Sequence, residues 1–159
     1  RGLGDVYKRQ AWGGCFKNTK ISQGNSTAYA ESLLKQYHGE WDYDTNLKFM
    51  ASRPVTAAWV RAIHRGHNQV HKGLHIPCPI LLMYSSQSVQ GDEWTPQHQS
   101  GDAVLDVKDI ARYGRTLGPH VTEFEVKEGL HDLVLSKPAA RASVYAEIFR
   151  WLRSNGLER

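Results

Sequence analysis

The sequence predicts an α/β protein built on a parallel sheet. Residues 76–159 follow the order strand, loop, helix, strand, loop, helix, and this alternation is typical of parallel strands covered by helices. Residues 80–84 form an apolar run that is entered through prolines, as expected of a strand buried on both faces. Ionisable residues follow both predicted strands, and in such sheets function gathers at the carboxyl ends of the strands.

The first ten residues, RGLGDVYKRQ, have no amphipathic period and resemble the in-frame translation of a sequencing-library adapter. We therefore expect residues 1–10 to lie outside the fold. The net charge of the chain is +4, and Arg1, Lys8 and Arg9 against Asp5 supply two of these positive charges. The other basic residues are scattered rather than clustered, so we expect no binding of nucleic acid.

Residues 11–75 are rich in Trp, Tyr, His and Gly and contain no obvious strand. A short helix is predicted over residues 28–37, followed by the turn-rich stretch HGEWDYDTN. A second helix is predicted to begin at Pro54, whose missing N–H needs no partner in the first turn, and to end near Gly73. Its predicted apolar face consists of Val55, Trp59 and Ile63.

Residues 76–159 supply the predicted core. After the strand at 80–84 comes a long polar loop over residues 85–101. A helix over 107–117 is predicted to be capped by Asp106 and ended by Gly118. Residues 121–127 alternate as a half-exposed edge strand does. A last helix is expected from Pro138 to just before Gly156, with a core-facing stripe of Val144, Ile148, Trp151 and Leu152.

Two residues in the loops after these strands are suited to acid–base chemistry. Asp102 follows the first strand and its loop, and His131 follows the second strand. A carboxylate that binds one ring nitrogen of a histidine sets its tautomer and stabilises the imidazolium, while the other nitrogen takes a proton from a serine hydroxyl. The acid also precedes the histidine, which is the order that α/β-hydrolases use.

Several segments resemble α/β-hydrolases of the monoacylglycerol lipase and serine aminopeptidase type. DAVLDVKDIARYGRTLG is similar to the stretch after their acid-bearing strand, VTEFEVKEGLHDLVLS to their histidine strand and loop, and SVYAEIFRWLRSNG to their last helix. SLLKQYHGEWDYD and VTAAWVRAIHRGHNQVHKGLHIPCPILLM resemble the cap and the re-entry into the core. The likeness covers nearly all of residues 28–156.

The resemblance implies the C-terminal part of an α/β-hydrolase fold, with a cap region at 11–75 and core at 76–159. It implies that Asp102 is the catalytic acid, His131 the catalytic base and Asp106 a helix cap. The implied activity is that of a serine esterase or lipase acting on a carboxylic ester, such as a monoacylglycerol or lysophospholipid. The nucleophile would belong to a missing N-terminal half, and no cofactor or metal is implied.

Two departures from the family pattern leave assignments open. The loop over residues 85–101 separates Asp102 from its strand, so Asp92 is a rival for the acid. Ser26 lies in GNSTA, a superficial likeness to the G-x-S-x-G nucleophile motif. Residues 17–23 are too polar for the central strand that should precede it, and a turn or helix cap is the preferred interpretation of Ser26.

Other interpretations also remain open. Glu40, Asp42 and Asp44 could recognise the free amine of a peptidase substrate. A non-catalytic α/β binding module is the rival from another class. The histidines His64, His67 and His71 have a spacing that could bind a metal, although an exposed polar helix face is the preferred explanation. The cluster of Trp41, Tyr43 and Trp59 fits cap packing or an acyl pocket.

Composition limits the setting. No run approaches the roughly 20 apolar residues that span a bilayer, so no transmembrane segment is expected. The two cysteines, Cys15 and Cys78, are too few for a disulfide framework. Because no secretion signal is visible either, the sequence predicts a reducing cytoplasm.

Overall fold

A computed structural model of the chain describes residues 20–21, 26–50 and 55–157. The predicted α/β class is confirmed, with one parallel strand pair and four α-helices in the described residues. Residues 1–10, Cys15 and Pro54 lie outside those ranges. The elements are β1 (Lys20–Ile21), α1 (Ala28–Leu33), β2 (Val55–Thr56), α2 (Ala57–Val70), β3 (Ile80–Ser85), α3 (Val107–Gly114), β4 (Val121–Val126) and α4 (Pro138–Ser154).

The strands β3 and β4 pair in parallel, from Ile80 opposite Val121 to Ser85 opposite Val126. Both strands therefore end at the same edge of the sheet. The polar loop that leaves Ser85 and the turn that leaves Val126 start side by side. This register brings together two loops that are far apart in sequence.

Helices lie on both faces of this strand pair. Met83 and Phe124 pack with α4 around the buried residues Val126 and Val144. On the other face Leu82 contacts α3 so closely that a Cβ at Gly114 would lie 2.4 Å from Leu82 Cδ2. The arrangement buries the end of β3, where Tyr84 and Ser85 are 6% and 1% exposed. The first four residues of β3 are only half-buried, so burial on both faces is not reached there.

Helix α3 is shorter than the sequence predicts. Asp106 caps it as expected, because its side chain accepts a hydrogen bond from the Lys108 N–H. The helix ends at Gly114 rather than Leu117, whose carbonyl accepts a hydrogen bond from the Ile76 N–H. Gly118 does not end the helix. It lies where a Cβ would be 2.2 Å from the Ile76 oxygen, so it permits a close approach of two backbone segments.

The cap region also departs from the predicted pattern. Helix α1 stops at Leu33 instead of continuing to residue 37, because the chain folds back on itself. The Trp41 N–H donates to the Leu33 carbonyl, and the Lys35 N–H donates to the Trp41 carbonyl. The two-residue strands β1 and β2 pair antiparallel in a region where the sequence shows no strand.

The predicted apolar face of the second helix is only partly confirmed, because Ile63 is half-buried but Val55 and Trp59 do not share its place. Val55 lies in β2, and the helix begins only after Thr56, whose hydroxyl accepts from the Trp59 N–H. Trp59 is 48% exposed, whereas its neighbour Val60 is 5% exposed. Pairing of Val55 in a strand delays the helix start, and Val60 together with Ile63 forms the less exposed side of the helix.

The last helix matches its predicted extent, from Pro138 to Ser154. Val144 is buried and Ile148 packs beside it, and the indole of Trp151 donates to the Thr122 hydroxyl. In the described part of the chain no helix is long and apolar enough to cross a membrane.

Candidate active site

The structure brings Asp102 and His131 together at the carboxyl edge of the strand pair. The Nδ1 atom of His131 lies 3.0 Å from Oδ2 of Asp102. The carboxylate is 3% exposed and the imidazole 30% exposed. The Nε2 atom of His131 forms no hydrogen bond to a residue in the described ranges, so this nitrogen remains available to a substrate or a nucleophile.

The backbone around Asp102 is fixed by a short bridge to the start of the acid loop. The Asp102 N–H donates to the Gln87 carbonyl at 2.9 Å, and the Val89 N–H donates to the Asp102 carbonyl at 2.8 Å. Gly101 allows this close approach, because a Cβ there would lie 2.5 Å from Val89 Cγ2. The bridge returns the long loop to the sheet edge, which explains how an acid 17 residues beyond Ser85 reaches the histidine.

The second carboxylate oxygen of Asp102 is also occupied. Oδ1 accepts hydrogen bonds from the N–H groups of Val104 at 2.7 Å and Leu105 at 2.8 Å. A carboxylate held by backbone donors on one oxygen presents its other oxygen in a fixed direction. Oδ2 is therefore aimed at the imidazole.

The loop that carries His131 is anchored by a buried hydroxyl. Ser136 is fully buried, and its Oγ accepts a hydrogen bond from the Leu130 N–H at 2.8 Å. Glu128 turns the chain after β4 with a φ of 55°, in the left-handed region. Leu130 is 2% exposed. The residue before the histidine is thus held by both packing and a hydrogen bond.

The two groups shift one another's ionisation in the direction that favours an ion pair. The hydrogen bond to Asp102 raises the pKa of His131, against the opposing effect of burial. Burial works to raise the pKa of Asp102, but the hydrogen bonds from His131 and from the backbone of Leu105 and Val104 outweigh it and lower that pKa. Asp102 is consequently a carboxylate, and the shared proton lies on Nδ1 of His131.

Three residues around the histidine loop were not singled out from the sequence. Asp132, which directly follows His131, accepts hydrogen bonds from the Tyr29 hydroxyl at 2.6 Å and the Lys48 ammonium at 2.8 Å. The Tyr29 ring lies edge-on to the imidazole, with a centroid distance of 6.1 Å. Asp132 could have been noticed in the sequence as an acidic residue next to the histidine, but its partners Lys48 and Tyr29 lie 84 and 103 residues away in sequence.

The rival residues lie elsewhere. Asp92 is exposed, and its backbone carbonyl accepts a hydrogen bond from the Ser26 hydroxyl at 3.1 Å. Ser26 lies directly before Thr27, the N-cap of α1, in a segment with no assigned turn, and it does not cap the helix. Asp106 caps α3. Neither Asp92 nor Ser26 contacts His131 among the described interactions.

The acidic residues proposed for amine recognition are only partly free to serve that role. Glu40 pairs with Arg141 at 3.2 Å. Asp44 accepts hydrogen bonds from the backbone and side chain of Asn46. The structure places Asp42 at the surface, without bringing it to His131.

The aromatic residues of the cap do not form one cluster. Trp41 is half-buried, and its indole N–H donates to the Leu135 carbonyl at 2.8 Å, so it ties the cap to the histidine loop. Arg141 stacks over the Trp41 ring at 4.9 Å. Trp59 is exposed on α2. Trp41 therefore has a packing role, which Trp59 does not share.

His67 in α2 and His71, the C-cap of that helix, take part in ring contacts. The His71 ring lies 3.8 Å from that of Tyr113 and 6.3 Å from that of His67. In residues 20–21, 26–50 and 55–157, no group of three or more His, Cys, Asp or Glu side chains has a metal-binding arrangement.

Comparison of the chain with protein-family models and with curated proteins gave no match.

Proposed function

We propose that this chain supplies the acid and base of a serine hydrolase of the esterase or lipase type. Asp102 is the acid and His131 the base, and a serine nucleophile is contributed by an N-terminal half outside this sequence. One observation carries the proposal: a buried carboxylate binds Nδ1 of a half-exposed histidine at the carboxyl ends of two adjacent parallel strands. The α/β-hydrolase fold that this geometry resembles is part of the proposal.

In this mechanism Nε2 of His131 accepts the proton of the serine hydroxyl as the oxygen attacks the ester carbonyl. Asp102 stabilises the imidazolium that forms and stays ionised. The imidazolium then donates its proton to the leaving alcohol, which gives an acyl-enzyme. Water then attacks the acyl group while His131 takes its proton; the imidazolium returns this proton to the serine oxygen as the ester bond to serine breaks, and the acid product leaves. The observed hydrogen bond already holds the tautomer that the first step requires.

Exposed apolar side chains near both catalytic loops favour an ester with a hydrophobic acyl group. Val104 and Leu105 follow Asp102 directly along the acid loop, and each is 47% exposed. Leu47 and Phe49 flank Lys48 and are 84% and 45% exposed. Covering such side chains with an apolar acyl chain removes apolar surface from water, which makes binding of that chain more favourable. A monoacylglycerol or lysophospholipid fits this surface.

The aminopeptidase alternative is less well supported. Recognition of a free amine needs an unpaired carboxylate near the base, but Glu40 is paired with Arg141. The nearest additional carboxylate, Asp132, already binds the Lys48 ammonium. A cation at this position would repel a protonated substrate amine.

The experiment is a substrate comparison on the full-length protein that contains this chain. We expect labelling by a fluorophosphonate probe and hydrolysis of p-nitrophenyl octanoate and dodecanoate in preference to the acetate. Leucine p-nitroanilide should be a poor substrate. Preference for the anilide would replace the esterase assignment with the aminopeptidase one. Absence of both labelling and hydrolysis, in a folded protein, would favour the non-catalytic binding module.

The cellular location is part of the same proposal. The low cysteine content of the chain and the exposed free thiol of Cys78 suit a reducing cytoplasm. Fractionation of cells that express the full-length protein would test this location, and recovery from an oxidising compartment would contradict it.

A further inference from the structure

We propose that Tyr29 and Lys48 are positioning residues for His131 and that they act on it through Asp132. This inference rests on the proposed function, since it assigns a role toward the catalytic base. It makes the cap region a part of the catalytic apparatus as well as a cover for the substrate.

The first step of the argument is convergence. The Tyr29 hydroxyl and the Lys48 ammonium donate to the same oxygen, Oδ2 of Asp132, at 2.6 and 2.8 Å. Tyr29 belongs to α1, and Lys48 follows it in the cap region. Two separate segments thus place their donors on the residue that directly follows His131.

The contact between Tyr29 and Asp132 is reciprocal. The hydroxyl donates to the carboxylate, and it accepts a hydrogen bond from the Asp132 backbone N–H at 3.2 Å. Because that N–H belongs to the peptide bond joining His131 to Asp132, the bond restrains the histidine backbone directly. Burial and the hydrogen bond to the carboxylate raise the pKa of Tyr29, so the hydroxyl stays protonated and remains a donor.

The Tyr29 ring adds a second restraint. It meets the imidazole of His131 at an interplanar angle of 82°, with the centroids 6.1 Å apart. This edge-to-face contact is a favoured geometry for aromatic rings. Asp102 fixes one nitrogen of the imidazole, and Tyr29 packs against the ring itself. Together they restrict the directions in which Nε2 can point.

Lys48 has a separate electrostatic role. Among the described residues, the charged groups that act on the pKa of His131 are Asp102 from the acid loop, Asp132 from its own loop and Lys48 from the cap region. The carboxylate of Asp132 favours the imidazolium and so raises the pKa of His131, whereas Lys48 lowers it. Lys48 donates at 2.8 Å to the carboxylate that directly follows His131, so its ammonium opposes the effect of that carboxylate on the pKa of the imidazole.

Stability alone does not account for the ion pair. The side chains of Lys48 and Asp132 are 46% and 41% exposed. Ion pairs with this exposure contribute little to folding stability, because water screens them. What the pair does instead is tie Lys48 to Asp132, the residue that directly follows His131.

The test begins with NMR titration of the His131 imidazole in the full-length protein that contains this chain. We expect Lys48→Met to raise the midpoint and Asp132→Asn to lower it. Lys35→Met is the matched control, since Lys35 is an exposed cap lysine outside this contact and should leave the midpoint unchanged. Folding of each variant is checked by its amide spectrum. An unchanged midpoint in folded Lys48→Met would overturn the electrostatic role of Lys48, and an unchanged midpoint in folded Asp132→Asn would overturn the link through Asp132.

The positioning role is tested by kinetics of the full-length protein. Tyr29→Phe should lower kcat by about ten- to a hundredfold with little change in KM, because misplacement of a catalytic group costs turnover. Tyr37→Phe, at an exposed tyrosine of the same region, is the control. Equal kcat values for Tyr29→Phe and wild type would overturn positioning by Tyr29. The titration needs no activity, so shifted midpoints in a protein without esterase activity would refute the proposed function while supporting the contact to His131.

Discussion

Nδ1 of His131 lies 3.0 Å from Oδ2 of Asp102, although 29 residues separate them in the chain. The parallel register of β3 and β4 contributes to this contact, because both strands end at the same edge of the sheet. The bridge between Ser88 and Asp102 also contributes, since it brings the long acid loop back to that edge. The contact therefore depends on the sheet and on a loop that folds specifically.

Under the proposed function, substitution of either partner should nearly abolish ester hydrolysis by the full-length protein. His131→Ala should lower kcat by on the order of 10⁴ or more, since members of a triad act as a unit. Asp102→Asn should be severely impaired, because the tautomer is no longer held. Steady-state hydrolysis of p-nitrophenyl octanoate measures both.

The controls for this prediction come from the same loops. Asp92→Asn should be mild because Asp92 is exposed, and Asp106→Asn should be mild because asparagine also caps helices well. His120→Ala removes an exposed histidine outside the site. A loss in Asp92→Asn as large as that in Asp102→Asn would move the acid assignment to Asp92.

The pH dependence of kcat/KM should report the ion pair. The proposed mechanism uses the neutral imidazole as the base, and the hydrogen bond to Asp102 raises the pKa of His131 in the folded protein. The acidic limb of the profile should therefore have its midpoint above about 6.5, the ordinary value for histidine. Asp102→Asn should move the midpoint down, and NMR titration can follow it if turnover is too slow. A wild-type midpoint at or below the ordinary value would argue against the pair.

The hydroxyl of Ser136 should be needed to hold the histidine loop. Ser136→Ala leaves the Leu130 N–H buried without its acceptor, which costs about 1–3 kcal/mol. We expect a lower free energy of unfolding in urea and a fall in kcat of the full-length enzyme. Ser143→Ala is the control, because that hydroxyl bonds only to the carbonyl one turn earlier in α4. Equal stability of Ser136→Ala and wild type would show that the loop has another anchor.

The strands and helices of residues 76–159 could be predicted because their signals are local. Prolines precede β3, and Asp106 caps α3 where the sequence places it. The end of α1 could not be predicted in the same way, since it depends on hydrogen bonds from the Lys35 and Trp41 backbones after the chain reverses. Boundaries that are set by long-range contacts leave no local pattern.

The residues of the candidate site also differ in whether a local sequence pattern identifies them. Asp102 and His131 could be selected from the sequence because each follows a recognisable strand in a fixed order. Tyr29 and Lys48 could not, because the cap region has no period that points their side chains at Asp132. Their role depends on a contact between distant segments, and only the folded chain shows it.

Gly101 should be intolerant of a side chain. A Cβ there would lie 2.5 Å from Val89 Cγ2 and 3.1 Å from the Gln87 oxygen, so Gly101→Ala must displace the bridge that holds Asp102. We expect a loss of both stability and turnover, measured by urea unfolding and ester hydrolysis. Gly66→Ala is the matched control. It lies in α2 with nothing within 4 Å, and alanine there should stabilise the helix by roughly 0.5–1 kcal/mol. Wild-type kinetics for Gly101→Ala would show that the acid loop adjusts without moving the carboxylate.

The free edge of β3 should make the 159-residue chain self-associate. Among the described strands β3 pairs only with β4, and its residues Ile80 to Met83 are half-buried despite being apolar. An unpaired apolar edge presents backbone donors and acceptors to a second copy. Light scattering after size-exclusion chromatography should show mass that increases with protein concentration.

Two proline variants distinguish association through the edge of β3 from nonspecific hydrophobic association. The N–H groups of Ile80 and Ser86 donate hydrogen bonds toward β4. In a parallel ladder alternate residues point their N–H groups to the same neighbouring strand, so the Leu82 N–H also donates toward β4 and the Leu81 N–H faces the free edge. Proline is tolerated on an edge strand when the lost N–H faces outward. Leu81→Pro should therefore reduce association while leaving the fold intact, whereas Leu82→Pro should destabilise the strand pair. A wild-type chain that stays monomeric at all concentrations would refute edge pairing, and so would association unaffected by Leu81→Pro.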